Sequence, residues 1–293
     1  MNKSLDFKKF TLLYVYGSGR CGSTLLDMLL SGHSKIIGLG EITTLMTIFN
    51  PFSLPKEYRF PDPKEKDQYE KFWNQTRYCY EQRSGKLFEQ IDLRYPKWGA
   101  LIRSWDSEDA RRWAQPIAVL LSCIYQTSGK PILSVPNKFH HVLHLLLESR
   151  LFDIKVIHLM RDGRAVANSY IRRYSDFAGG VRVWAGSAIL APWFRKQVGR
   201  GNWLQVKYEE LATQPEKTLE TICRFLKLDF EPAMLDYRSR TYFGIGGSPT
   251  TFSNPNSEIS LDERWRKELS WRHRLAFALI AGWLNKFYGY GIL

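Results

Sequence analysis

Residues 11 to 41, TLLYVYGSGRCGSTLLDMLLSGHSKIIGLGE, constrain the fold more than any other stretch, because an apolar run breaks into a Gly-, Ser- and Arg-rich loop and then into a helical pattern. Thr11 to Tyr16 is rich in β-branched and aromatic residues and too short for a core helix, so it reads as a buried strand. Gly17, Ser18, Gly19 and Gly22 allow a tight turn whose backbone N–H groups face inward. From Ser23 the apolar residues Leu25, Leu26, Met28, Leu29 and Leu30 recur at helical spacing, with Gly32 past the end. A helix N-terminus carries free N–H donors and about half a positive charge, so the expected guest of this strand, loop and helix is an anion.

The same loop restricts which anion chemistry is possible. Gly17 and Gly22 stand where the glycines of G-x-x-x-x-G-K-[ST] would stand, but the lysine position holds Ser23, which disfavours ordinary ATP or GTP hydrolysis. A phosphatase of the C-x5-R kind built on Cys21 would need arginine where Asp27 stands, and an aspartate there repels phosphate. What remains is a phosphate loop that carries its own cation, Arg20.

The whole chain sets wider bounds. Its 293 residues, 44% hydrophobic, suffice for one large α/β domain with an insertion. It contains no apolar run long enough to span a membrane and no signal-peptide pattern at MNKSLDFKKF, so the expected location is the cytoplasm. Cysteines at 21, 79, 123 and 223 form no C-x-x-C pair, which suits a reducing compartment. A net charge of +13 favours a polyanionic partner: a multiply phosphorylated nucleotide, a nucleic acid or an anionic surface. The basic residues are interspersed with acidic ones and no zinc-finger, RNP or basic-zipper pattern occurs, which weighs against nucleic acid.

Further strands are expected at Lys35–Leu39, Lys130–Val135, Ile154–Met160 and Trp203–Val206, with helices at Ala110–Thr127, His140–Ser149, Pro215–Leu226 and Leu275–Phe287. This alternation implies a parallel α/β sheet of about five strands, with right-handed crossovers and helices on both faces. The chain is read as a single domain over 1–293, with 50–128 as a mostly helical insertion or cap. Residues 50–108 and 174–200 carry no readable code, although Trp73, Trp98, Trp105 and Trp113 are available either to the core or to an acceptor site.

The second informative stretch is IKVIHLMRDGRAVANSY, in which Arg161 stands at a strand's carboxyl end and Ser169 lies one to two helical turns beyond. Two readings stand side by side. Arg161 and Ser169 converge on a second phosphate, which would suit a nucleotide phosphorylated at both 5′ and 3′ positions; or Arg161, Asp162 and Arg164 form surface ion pairs.

These residues resemble a known family. GRCGSTLLDMLL is similar to the 5′-phosphosulfate loop of sulfotransferases, LMRDGRAVANSY to their 3′-phosphate motif, and VKYEELATQPEKTLETICRFLKL to the strand and helix that follow. The resemblance covers about 11–48 and 130–230, with a weaker echo in LDERWRKELS. Its form is nearest the arginine-type tyrosylprotein, glycan and bacterial enzymes. It implies a P-loop-like parallel α/β fold and a donor, 3′-phosphoadenylyl sulfate, with no required metal, held by Arg20, Cys21, Gly22, Ser23 and Thr24 at the 5′ end and by Arg161 and Ser169 at the 3′ end. It also implies sulfuryl transfer to a hydroxyl or amine of a small-molecule acceptor such as a secondary metabolite, carbohydrate or lipid. Protein tyrosine is the alternative acceptor; a P-loop kinase and a nucleic-acid-binding module are more remote.

The resemblance offers two bases for the acceptor proton. Glu41, at the end of the second strand, matches the base of the arginine-type enzymes, whereas His140 in Lys138-Phe139-His140 matches the K-x-H arrangement of the cytosolic ones. Glu41 is preferred, since a lone histidine more often caps a helix or sits in a core. Lys138 is implied to stabilise the transferring group. His140, His141 and His144 do not make a metal site, because H-E-x-x-H needs glutamate at 141. The R-K-G-x-x-G close of the cytosolic enzymes is missing; GIGGSPTTFSNPNS and Arg264–Lys267 are the candidates to close over the adenosine.

Overall fold

The computed structural model describes residues 7–42, 63–91, 107–238, 240–248, 251 and 258–293. Five strands, β1 (Thr11–Tyr16), β2 (Ile36–Gly38), β3 (Ile132–Asn137), β4 (Asp153–Met160) and β5 (Trp203–Lys207), form an all-parallel sheet in the order β2-β3-β1-β4-β5. β1 is central, with Tyr16 level with Asn137 on one side and His158 on the other. The chain leaves β1 in one direction to build β2 and β3 and then crosses to build β4 and β5. Loops therefore diverge at the carboxyl end of β1, the place where open parallel sheets bind ligands.

Strand alternation divides the core in two. Leu12, Tyr14 and Tyr16 face one layer, formed by α2 (Pro63–Ser84), α3 (Ser107–Ser128), α4 (His140–Ser149) and α6 (Phe177–Val198), with Trp73, Leu121, Leu143 and Phe194 among its members. Leu13 and Val15 face the other, where α1 (Ser23–Ser31) contributes Leu26 and Leu29 and α8 (Pro215–Leu226) contributes Leu219 and Ile222. Helices thus cover both faces, as the alternating pattern predicts. Leu13 is fully buried, and truncating it to alanine would cost roughly 2–5 kcal/mol through lost transfer energy and the cavity left behind. A third cluster joins α5 (Gly163–Tyr174) and α6 to α10 (Trp271–Phe287) through Val166, Trp184 and Phe277. The short helices α7 (Tyr208–Thr213) and α9 (Trp265–Glu268) complete the described set.

Two departures from the sequence reading have physical reasons. β3 runs on through Pro136 to Asn137. Ser134 still accepts a bond from Leu39 N, but Pro136, facing the same way two residues on, lies past the end of β2, so its missing N–H breaks no ladder. Residues 177–198, which carried no readable pattern, form a 22-residue helix despite Gly179, Gly180, Gly186 and Pro192. At Gly180 a Cβ would stand 2.9 Å from Ala167 Cα and 2.8 Å from Tyr170 Cβ, so the glycine that lowers helix propensity is what lets α6 lie close on α5. Of the four tryptophans offered to an acceptor site, Trp73 is buried in the core and Trp113 packs against it, whereas Trp98 and Trp105 lie outside the described residues, as does much of the 50–128 insertion.

Candidate functional site

Each of the five strands delivers one side chain, at or just beyond its carboxyl end, to a cleft of about 400 Å³: Arg20 after β1, Glu41 after β2, Lys138 after β3, Arg161 after β4 and Tyr208 after β5. A larger groove of about 840 Å³ runs beside β5 instead and is lined by none of these five groups. The smaller cleft is where the candidate chemistry converges.

The loop between β1 and α1 is shaped by close backbone contacts. A Cβ at Gly17 would lie 2.6 Å from Leu159 O, and one at Gly22 would lie 2.5 Å from the Tyr208 ring. Gly22 also takes φ 96°, and Arg20 φ 68°, both left-handed. This turn aims the α1 N-terminus into the cleft; its N-cap is Gly22, which has no side chain to cap the helix. Gly22, Ser23 and Thr24 line the cleft. The Cys21 side chain points away and is buried, which raises its thiol pKa, so Cys21 can serve a ligand only through its backbone.

Arg20 donates from Nε to Ser169 Oγ at 2.9 Å and from Nη1 to Ser248 Oγ at 3.3 Å. Both partners are neutral, and among the described residues no carboxylate lies within ion-pairing distance of Arg20. Burial lowers its pKa, with repulsion from Arg161 adding to the effect. Such a cation lacks a counter-charge, and a dianionic ligand would supply one.

The other side is built differently. Arg161 donates to Arg20 O at 3.1 Å and to Asp262 O at 3.0 Å, pairs with Asp262 Oδ2 at 3.2 Å, and stacks 4.3 Å from the Tyr208 ring centroid. Among the described residues its Nε is buried with no hydrogen-bond partner. Arg264 forks onto the same Asp262 carboxylate at 2.7 and 2.9 Å and, with Arg161, holds it well below the usual carboxylate range. The ion-pair reading of this stretch is half right: Arg164 pairs with Asp162 at 2.6 Å, but that pair is buried, and Arg161 faces the cleft.

Between the two sides, Lys138 Nζ lies 2.6 Å from Glu41 Oε1. Glu41 is held by its backbone, which donates to Ile245 O at 2.8 Å, while the preceding Gly40 N donates to Asp27 Oδ2 at 2.9 Å. Asp27 is fully buried and also accepts from the Ser134 and Tyr242 hydroxyls; burial pushes its carboxyl up to about 6. The aspartate that excluded one phosphatase reading therefore ties α1, β3 and the Glu41 segment together from behind. His140 begins α4 with its ring 5.6 Å from Tyr16 and is not among the residues lining the cleft. Burial, then neighbouring His141, lowers it to about 4.

The arrangement thus brings together Arg20, Gly22, Ser23, Thr24, Glu41, Lys138, Arg161 and Ser169, and leaves His140 and the Cys21 side chain apart from them. Gly247, Ser248 and Arg264, from the two stretches expected to close over the adenosine, line the cleft, as do Asp262 and Tyr237, which were not singled out in the sequence. Tyr208 had a usable signal, its place at a strand's carboxyl end; Asp262 had only the weak family echo of LDERWRKELS, which did not say that Arg161 and Arg264 meet on it. Among the described residues no group of three or more His, Cys, Asp or Glu is placed to hold a metal ion.

A parallel sheet with an arginine-bearing loop at its centre and a second guanidinium beside it defines an α/β protein with a candidate anion-binding cleft at the carboxyl ends of its strands. The sequence profile of the Sulfotransferase family matches residues 13–232, and the chain belongs to that family. It is 25% identical over 239 residues to an uncharacterised protein of Aquifex aeolicus, covering 77% of this chain but 26% of that protein. It is 25% identical over 154 residues to mouse carbohydrate sulfotransferase 1, covering 44% of this chain and 37% of the relative. The chain therefore spans well under half the length of these curated relatives. Among solved structures, the sulfotransferase domain of the Synechococcus PCC 7002 olefin synthase superposes with a TM-score of 0.59 at 21% identity, over 99% of this chain and 98% of that domain. The sulfotransferase domain of the curacin biosynthetic pathway gives 0.56 at 19% identity, over 94% and 98%. These two likenesses support the fold.

Proposed function

We propose that the protein transfers a sulfuryl group from 3′-phosphoadenylyl sulfate to a hydroxyl, or an amine, of a small-molecule acceptor. The observation that carries this reading is the pair of anion grips on one cleft, a helix N-terminus with unpaired Arg20 and a separate Arg161 site, with Glu41 and Lys138 between them. The bound donor supplies an activated sulfur whose bond to the 5′-phosphate oxygen breaks as the acceptor oxygen bonds to it. Arg20 and the N–H groups of Gly22, Ser23 and Thr24 hold the 5′-phosphate and neutralise the charge that grows on it. Arg161 and Ser169 grip the 3′-phosphate from the other side of the cleft. Glu41 takes the acceptor proton, and Lys138 leaves Glu41 to stabilise the transferring oxygens. Distance from the cleft makes His140 the weaker base.

The likeness to carbohydrate sulfotransferase 1 supports a carbohydrate among the acceptor classes, beside metabolites and lipids. Four free cysteines suit a cytoplasmic enzyme. Calorimetry tests the donor: 3′-phosphoadenosine 5′-phosphate binds strongly, AMP much more weakly, and Arg161→Ala removes most of that difference. Equal binding of the two nucleotides to the unmodified protein rejects the 3′ site. Labelled donor screened against acceptor panels identifies the acceptor, and turnover retained in Glu41→Gln but lost in His140→Asn reverses the choice of base.

A further inference from the structure

Helix α10 is apolar on two sides. Phe277, Ala281 and Leu284 face inward and are buried. On the outside, Trp271, Leu275, Leu279, Trp283 and Phe287 recur every four residues and are 69, 46, 77, 63 and 69% exposed. A helix that is hydrophobic all round is normally covered on all sides, and contiguous exposed apolar surface of this kind marks an interaction site. The stripe continues beyond the helix: Phe287 and Pro192 line the groove beside β5, and next to Pro192 the exposed Trp193 adds a further aromatic on α6.

Charge says what covers this face. Neither α6 nor α10 contains an aspartate or glutamate, although the chain has 29 of them. Exposed Arg272 and Lys286 flank the α10 stripe, and Arg195, Lys196 and Arg200 line the adjoining groove. Among the described residues none of these five forms an ion pair. In a two-fold dimer this patch would pack against itself and set the basic rim against its own copy, which opposes a second chain as occupant. The stripe is also convex, standing out from one helix with tryptophans towards each end. That shape suits insertion into a lipid headgroup layer better than docking into a protein groove.

We propose that the outer face of α10, with the basic groove between α6 and β5, is an interfacial docking surface for anionic membranes. Leu279, Trp283 and Phe287 enter the boundary between headgroups and acyl chains, and Arg195, Lys196 and Lys286 bind the lipid phosphates. Among the described residues no helix is long and apolar enough to cross a membrane, so attachment through this face is peripheral.

The test is co-sedimentation of the full chain with vesicles of phosphatidylcholine alone or with about a third phosphatidylglycerol, at low salt and at about 0.5 M salt. Binding to the anionic vesicles is expected, weaker at high salt and at least roughly tenfold weaker to phosphatidylcholine alone. Leu279→Glu with Trp283→Glu, and separately Arg195→Glu with Lys196→Glu, should each lower binding by roughly tenfold or more while unfolding temperature and binding of 3′-phosphoadenosine 5′-phosphate stay unchanged. Light scattering on the same samples reports self-association. A stable dimer that ignores vesicles overturns the proposal, as does no binding to either vesicle. So does vesicle binding that survives Leu279→Glu with Trp283→Glu, since the contact would then be purely electrostatic. Should those two substitutions unsettle the fold, Leu279→Ser alone, at a largely exposed position, reads the same apolar contact, and undiminished binding in that variant overturns the proposal equally.

Discussion

The two sides of the cleft hold positive charge in opposite ways. On the loop side, among the described residues, Arg20 has the Ser169 and Ser248 hydroxyls as hydrogen-bond partners and no carboxylate, and the acid behind the loop, Asp27, is bound by neutral donors. On the other side Arg161 and Arg264 share the Asp262 carboxylate. A partly buried cation without a counter-charge gains most when an anion arrives, whereas a neutralised one must exchange one anion for another. The contrast predicts a division of labour: the loop side supplies affinity and charge stabilisation, and the Arg161 side supplies discrimination for the second phosphate.

The largest effect should therefore fall on Arg20. Arg20→Ala is expected to lower turnover at saturating donor by roughly a hundredfold or more, about 3 kcal/mol, as when one preorganised donor is removed from a site of developing charge. Arg161→Ala should weaken binding of 3′-phosphoadenosine 5′-phosphate while lowering saturated turnover much less. The comparison breaks if Arg161→Ala costs more saturated turnover than Arg20→Ala in the same assay.

Nearly as large is an effect of Asp27 on stability. Its carboxyl is raised by burial from 3.8 to about 6, so between those values the folded chain binds a proton that the unfolded chain does not. Stability from this group is complete below about pH 4 and lost as pH rises through 6, by about 3 kcal/mol for two pKa units. Buried His140 and His158, lowered to about 4 and about 3, act in the opposite sense, since their neutral forms favour the fold as pH rises. The quantity to measure is thus the difference between Asp27→Asn and the parent in denaturant unfolding, which should move in the variant's favour by about 3 kcal/mol from pH 4 to pH 7. A flat difference would mean Asp27 titrates as an ordinary carboxylate and the neutral bracing of the loop is wrong.

These two sides were unequally visible in the sequence. The loop side is local: strand, glycine turn, Arg20 and helix are contiguous, and the spacing of Leu25 to Leu30 already showed which face of α1 is buried. Glu41 was legible because a short apolar run placed it at a strand end. The Arg161 side closes through residues about 100 positions later: LDERWRKELS marked the stretch as a candidate to close the site, but its local pattern does not show that Arg161 and Arg264 meet on Asp262. The stretch 177–198 was illegible for another reason, since Gly179, Gly180 and Pro192 are breakers in isolation and become helix only because α5 and α10 pack on Val181, Trp184 and Ala188. Tertiary packing overrode propensity there.

A smaller effect separates backbone shape from charge on the loop side. Gly22→Ala places a side chain at φ 96° and into the Tyr208 ring, and should destabilise the fold by about 1–3 kcal/mol while weakening nucleotide binding. Gly85→Ala is the control: it has φ 67° but nothing within 4 Å of its added Cβ, so only the left-handed strain, about 1 kcal/mol, should appear, with nucleotide binding unchanged. Equal losses in the two variants would show that the Tyr208 contact does not shape the loop.

The smallest effect probes the ion-paired side. Arg264 is 51% exposed, so its fork onto Asp262 is screened by water and salt, and Arg264→Ala should change stability at neutral pH by less than about 1 kcal/mol. Its signature is instead the acid range. Asp262 is held below the ordinary carboxylate value first by Arg264 and then by Arg161, so its contribution is present above about pH 4 and is lost as pH falls. Removing Arg264 lets Asp262 protonate at higher pH, which releases Arg161 from its counter-charge sooner. The variant should then bind 3′-phosphoadenosine 5′-phosphate with a shallower loss of affinity on acidification than the parent, whereas Arg20→Ala, on the side with no paired carboxylate, should leave the slope of that dependence unaltered. A change of slope in Arg20→Ala but not in Arg264→Ala would exchange the electrostatic roles assigned to the two sides.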